Sequence, residues 1–193
     1  MRKLFEIGGL VAAVVLIGFG IGSLVLSVNG RSTVRNSLTQ EQISGTPDMT
    51  PAAIKVEASK AGLTNVSLPT CDVAGKPVNT GERARCFASY MRIHALEASG
   101  GLTYAQMPQY ATADGKGTND AATALQQTGR PVSNAARNVW VTETALSTAL
   151  NTSYLAEQIS IFGIVVGVAL LLSGIGFGIL ALGGALRSRE RIV

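Results

Sequence analysis

This chain has little of what chemistry is usually built from. It holds one histidine, one tryptophan and two cysteines, and only 5% of its residues are aromatic and 15% charged. One histidine, His94, without any C-x-x-C pair, falls short of the Cys and His sets that hold structural zinc. Ser89, Ser99 and Glu97 lie near His94 in sequence, but no nucleophile-elbow motif accompanies them. Residues 114–120 (Asp-Gly-Lys-Gly-Thr-Asn-Asp) have neither calcium-loop nor phosphate-loop spacing and read as a polar turn leading into a helix cap. The expectation is a non-enzymatic protein with no catalytic residues, no cofactor and no metal.

Charge of one sign is also lacking where it would matter for nucleic acid. The formal net charge is +4 and the pI about 9.3. Between Asn29 and Gln158, however, eleven basic residues are scattered among ten acidic ones, and the remaining excess sits in the two tails. A nucleic-acid surface needs a basic stripe interleaved with aromatic or polar readers, so no nucleic-acid partner is expected.

What the chain does have is two long apolar runs. Ile7–Val28 is 22 residues and Ile159–Leu186 is 28 residues, neither containing a charge. Each exceeds the roughly 20 residues a helix needs to cross about 30 Å of hydrocarbon. The absence of ionisable residues within them argues against a proton relay, a voltage sensor or a coupled transporter. Arg2 and Lys3 precede the first run, and Arg187, Arg189 and Arg191 follow the second. Basic flanks stay in the cytoplasm. The layout is therefore a cytoplasmic tail (1–6), a transmembrane helix (7–28), an extracytoplasmic domain (29–158), a second transmembrane helix (159–186) and a cytoplasmic tail (187–193), in the plasma membrane. The first run is long for a signal peptide and no A-x-A-like site follows it, so an uncleaved anchor is expected. Sensor kinases and chemoreceptors share this topology, but seven residues after the second run leave no output domain.

The central region is poor in Leu, Ile, Val and Phe and rich in Ala, Thr, Ser, Asn and Gly. Such a thin core leans on staples: the spans, a disulfide or a partner chain. Both cysteines, Cys71 and Cys86, lie in this region, and an even count in an oxidising compartment reads as a disulfide. It would close a 16-residue loop, worth about 3 kcal/mol in the chain-entropy model.

Local signals place the elements. Asn29-Gly30 permits a kink after the first span. Gly45-Thr46-Pro47-Asp48 is a break, and Thr50-Pro51 caps a helix that stops at Gly62. Residues 65–79 read as loop. Thr80-Gly81-Glu82 opens a helix ending at Gly100-Gly101, with Cys86, Tyr90, Ile93 and Glu97 on one face, so that the disulfide would pin the preceding loop to its first turn. Residues 102–117 form an ordered loop anchored by Tyr104, Met107 and Tyr110. A short helix is expected from Thr118 to Gln127, stopped by Gly129 and Pro131. Ser133 then caps a last helix that carries Trp140 in the core and runs unbroken into the second span. Tyr154 and Phe162 are placed for the membrane interface. The fold class is all-α: two transmembrane helices flanking a small helical domain.

Glycines mark the spans: Gly18 and Gly22 in the first, Gly163, Gly167, Gly174 and Gly178 in the second. Gly at i and i+4 lets helix backbones approach closely in lipid, either within the chain or between copies. No strand-turn-helix context surrounds them, so a dinucleotide or phosphate-loop reading fails.

Four stretches carry a family resemblance: residues 45–51 (Gly-Thr-Pro-Asp-Met-Thr-Pro), 85–94 (Arg-Cys-Phe-Ala-Ser-Tyr-Met-Arg-Ile-His), 100–108 (Gly-Gly-Leu-Thr-Tyr-Ala-Gln-Met-Pro) and 141–154 (Val-Thr-Glu-Thr-Ala-Leu-Ser-Thr-Ala-Leu-Asn-Thr-Ser-Tyr). They resemble a family of small, uncharacterised actinobacterial membrane proteins. Members are sometimes described as similar to aromatic ring-opening dioxygenases; one histidine cannot supply the iron ligands such enzymes use. The resemblance implies a bacterial envelope protein. Together with the helical stripes and the small-residue span faces, it points to a scaffold or interaction role, with the bilayer and another protein or a second copy as partners. The alternative is an accessory component of a larger complex or a homo-oligomeric pore.

Overall fold

Thr50 and Thr80 set the starts of the two short helices. Each has an extended backbone and a hydroxyl that accepts an amide three residues on, from Ala53 and Arg83 respectively. That is the N-cap bond that satisfies an otherwise orphaned helix donor. A computed structural model describes residues 2–183, with side chains from residue 5. The tail 187–193, the end of the second apolar run (184–186) and the side chains of Arg2 and Lys3 lie outside the described residues. The elements are α1 (Arg2–Gln40), α2 (Pro51–Lys60), α3 (Gly81–Ala98), the short strands β1 (Gln126–Gln127) and β2 (Arg130–Pro131), and α4 (Ala135–Leu182). The chain divides into two compact units, Met1–Val34 with Ala156–Val193, and Arg35–Leu155.

In the first unit, α1 and α4 are both long and apolar enough to cross a membrane. They pack antiparallel, since contacts descend α4 as they climb α1. Gly174 meets Ala13 and Ile17, Gly167 meets Gly20 and Leu24, Gly163 meets Ser27, and Gly30 meets Ser160. The α1 contacts fall at 13, 17, 20, 24 and 27, alternating steps of four and three. This is the period of a left-handed helical seam. Ser23 Oγ donates to the Gly163 carbonyl at 2.8 Å, a bond that close approach makes possible. Asn29-Gly30 does not break α1. A Cβ at Gly30 would lie 3.1 Å from Ser160 Oγ, so the glycine serves packing and not a kink.

In the second unit, α3 is the central element. Tyr90, Met49, Ile54, Ile93, Val73 and Val78 are the unit's largest fully buried side chains. α2 stops as expected, with Gly62 at φ +71°. Segments 43–49 and 73–78 bind each other through backbone bonds, Val73 N–H to Met49 O at 3.2 Å and Val78 N–H to Ile43 O at 2.8 Å among them. Gly45 is required there, because any Cβ would collide with the Val73 carbonyl.

Two local expectations are corrected. Thr118–Gln127 is not a helix but a chain of turns ending in the β1–β2 ribbon. Thr128 and Gly129 both adopt positive φ, the hairpin-turn conformation. Upstream, side chains capture local amides: Thr118 Oγ1 accepts from Asp120 N–H and Asp120 Oδ1 from Ala122 N–H. Such bonds compete with a helix. The cap of α4 is Asn134 and not Ser133. Asn134 Oδ1 accepts from Ala136 N–H while its Nδ2 donates to the Pro108 carbonyl, a division between two atoms that the single hydroxyl of Ser133 does not offer.

Candidate functional site

Cys71 and Cys86 are joined by a disulfide, their Cα atoms 6.1 Å apart. Cys86 is on the second turn of α3 and not the first, and Cys71 lies in the loop before it. Tyr90, one turn further along α3, donates its hydroxyl to the Cys71 carbonyl at 2.6 Å. Burial, then the charges of Asp72 and Asp48, push the Tyr90 phenol above its ordinary pKa, so it remains a donor. The 65–79 loop is thus tied to α3 twice through one residue, Cys71.

The N-terminal part of α4 meets α3 through arginines stacked on rings. Arg92 lies 4.1 Å from the Trp140 centroid and Arg85 4.7 Å from that of Tyr154. Such stacks contribute about 0.5–2 kcal/mol each, and here they supplement a core short of large aliphatic residues. They also explain why Trp140 is buried while Tyr154, expected at a membrane interface, is engaged by α3. Glu143 is buried beside them. Arg92 Nη1 stands 3.6 Å from Glu143 Oε2, and Ser147 Oγ donates to Glu143 Oε1 at 2.8 Å. A buried charge needs partners of this kind. Next to this pair, an open groove of about 540 Å³ is lined by Tyr104, Trp140, Val141, Thr144, Ala145 and Thr148. Tyr104 and Val141 are exposed there, and Arg137 stacks on Tyr104 at 4.0 Å.

His94 does not meet the serines near it in sequence. Ser89 Oγ donates to the Arg85 carbonyl, and Ser99 Oγ donates to the carbonyls of Leu96 and Leu102. Glu97 is on the exposed side of α3, away from the buried face of Cys86, Tyr90 and Ile93. Instead His94 Nε2 stands 2.9 Å from Asp48 Oδ2 and 3.7 Å from Glu57 Oε2. Burial opposes ionisation of Asp48, but hydrogen bonds with Thr46 and its own amide, together with the His94 charge, outweigh it and hold the carboxyl below its ordinary value.

The span glycines divide. Gly163, Gly167 and Gly174 lie where a Cβ would strike the facing helix, and Gly178 is in ordinary contact with Ala13. A Cβ at Gly18 or Gly22 would meet nothing within 4 Å, whereas one at Gly20 would lie 2.8 Å from Leu171 Cγ and 3.0 Å from the Gly167 carbonyl. The seam period selects Gly20 and turns Gly18 and Gly22 outward.

The sequence reading missed three groupings: Arg31 with Glu157, Arg92 with Trp140 and Glu143, and His94 with Asp48 and Glu57. Their members come from segments far apart in the chain, and no spacing rule connects them. No family model, curated protein or solved structure matches this chain.

Proposed function

We propose that this protein is a non-enzymatic component of a bacterial envelope, anchored by two membrane spans, with both termini cytoplasmic and the 29–158 domain outside, where it docks another protein. Two helices apolar enough to span, basic residues on the terminal flanks and a disulfide in the intervening unit support this topology.

The observation that carries the docking role is the groove beside Trp140. It combines an aromatic floor, an exposed Tyr and Val, and arginines at its margin. Trp, Tyr and Arg are the residues that dominate binding energy at protein interfaces. The test is a photo-crosslinking amino acid at Val141, compared with one at exposed Val56 on α2, followed by native mass spectrometry in mild detergent. A discrete adduct from position 141 alone, lost on Tyr104→Ala, supports the reading. A monomer without adducts overturns it.

A second reading, a homo-oligomer or pore assembled in the membrane, is favoured by one observation. Gly18 and Gly22 face outward from the seam, within an apolar groove of about 760 Å³ lined also by Val14, Phe19 and Leu26. A ring-sized mass in the same experiment would establish it.

A further inference from the structure

Asp48, Glu57 and His94 come from three separate segments: the turn before α2, the body of α2, and α3. Each offers one donor atom, and the three donors all lie within 4.8 Å of one another. A tetrahedral zinc site with bonds of 2.0–2.1 Å places its donors about 3.3 Å apart. The two separations from His94 Nε2, 2.9 Å to Asp48 and 3.7 Å to Glu57, straddle that value.

The orientation of the imidazole separates a shared-ion geometry from a plain ion pair. Nε2 is shielded from water and makes no aligned hydrogen bond, although Asp48 Oδ2 is only 2.9 Å away. Its N–H axis therefore does not point at the nearest oxygen. A ring nitrogen beside two carboxylate oxygens, and not aimed at the nearer one, suits donors converging on a common point. A buried polar atom left without a hydrogen-bond partner is destabilising, and a bound cation would give Nε2 that partner. The three side chains are 28–32% exposed, so an ion could enter and keep water in the remaining position.

We propose that Asp48, Glu57 and His94 form a binding site for one divalent transition cation of the zinc type. One imidazole and two carboxylates match such an ion better than magnesium or calcium, which favour all-oxygen shells. The ion would tie the 45–50 turn and α2 to α3, so its role is to fasten the outer unit. The site is independent of the docking groove, and neither reading depends on the other.

The chain's single histidine makes the test unambiguous. Full-length, tag-free protein in detergent is stripped with chelator and titrated with zinc chloride, while the one imidazole is followed by long-range ¹H–¹⁵N NMR. The expected result is one zinc per chain, a shifted Nε2 resonance, and a raised thermal midpoint reversed by chelator, with magnesium inert. His94→Gln and Glu57→Gln should each weaken binding by more than about tenfold, the least that even outer-shell changes typically cost. Glu57→Gln leaves the histidine present, so its spectrum also checks that the fold survives. A wild-type imidazole unchanged by zinc, or zinc bound equally by wild type and His94→Gln, overturns the proposal and leaves a histidine clamped between two carboxylates.

Discussion

Arg31 Nε lies 3.1 Å from Glu157 Oε1, joining α1 to α4 just beyond the apolar runs, and the partners differ sharply in exposure, 39% for Arg31 and 4% for Glu157. The asymmetry determines which partner matters more. Without Arg31, a nearly dry carboxylate loses a guanidinium; without the Glu157 charge, Arg31 can turn toward water. Arg31→Met should cost about 2–4 kcal/mol, below the full range for a wholly buried pair, and Glu157→Gln about 1 kcal/mol. Thermal unfolding in mild detergent measures both. Equal losses would contradict the asymmetry.

The disulfide should act as a staple on one loop. Cys86→Ser is expected to lower stability by about 2–4 kcal/mol. Hydrogen exchange on the reduced and oxidised protein should show residues 65–79 loosening first, with the Tyr90–Cys71 bond leaving partial protection near Cys71. Equal protection of 65–79 in the two states would remove the staple.

The glycines of the two apolar helices should separate into two classes. Gly20→Leu forces a side chain into Leu171 and the Gly167 backbone and should destabilise the hairpin by about 1–3 kcal/mol. Gly18→Leu meets open space and should change stability by less than about 0.5 kcal/mol. If copies assemble through that outer face, Gly18→Leu and Gly22→Leu will lower the native mass without moving the unfolding midpoint.

Topology is testable at Lys116, which is exposed in the second unit. Lys116→Cys should react with a membrane-impermeant thiol reagent in intact cells, and Ser188→Cys should not. Gly117 is a poor site for the probe, since its φ is +74° and a Cβ would press into Pro108. Labelling at residue 188 alone would invert the orientation.

Asp114 gives a pH signature. Its carboxyl accepts from Thr112 Oγ1 and the Lys116 amide, and these bonds hold its pKa below the ordinary value of 3.8. A depressed folded-state pKa contributes stability above the unfolded value that is lost as pH falls through the folded one. The protection factors of the Lys116 and Gly117 amides, measured against the intrinsic exchange rate at each pH, should therefore hold at neutral pH and fall only below about pH 3.8. Loosening already at pH 6 would assign the turn's order to something else.

Much of the second unit's fold was legible because its signals are local. Thr50-Pro51, Thr80 and Gly62 announce helix ends through bonds to residues three or four away, and two cysteines allow only one intrachain pairing. The failures are equally physical. Thr118–Gln127 has helix-compatible residues, but Thr128-Gly129 and the Asp120 side chain reward turns instead. Gly18 and Gly22 fit a small-residue motif, yet the seam's phase is set by Ala13, Ile17 and Leu24 against α4, and phase cannot be read from one helix. The His94 cluster has no sequence signature, because its donors are 9 and 37 residues apart along the chain (48 to 57, then 57 to 94).

Trp140 is the chain's only tryptophan, and it is buried under the Arg92 guanidinium in the second unit. Its emission is therefore a reporter for that unit alone, while the helix signal in circular dichroism sums over both. The two halves of the molecule can be melted in one tube and read apart. A ligand, a reductant or a chelator that shifts the fluorescence midpoint but not the main dichroic transition has acted on Arg35–Leu155 and left the apolar hairpin untouched.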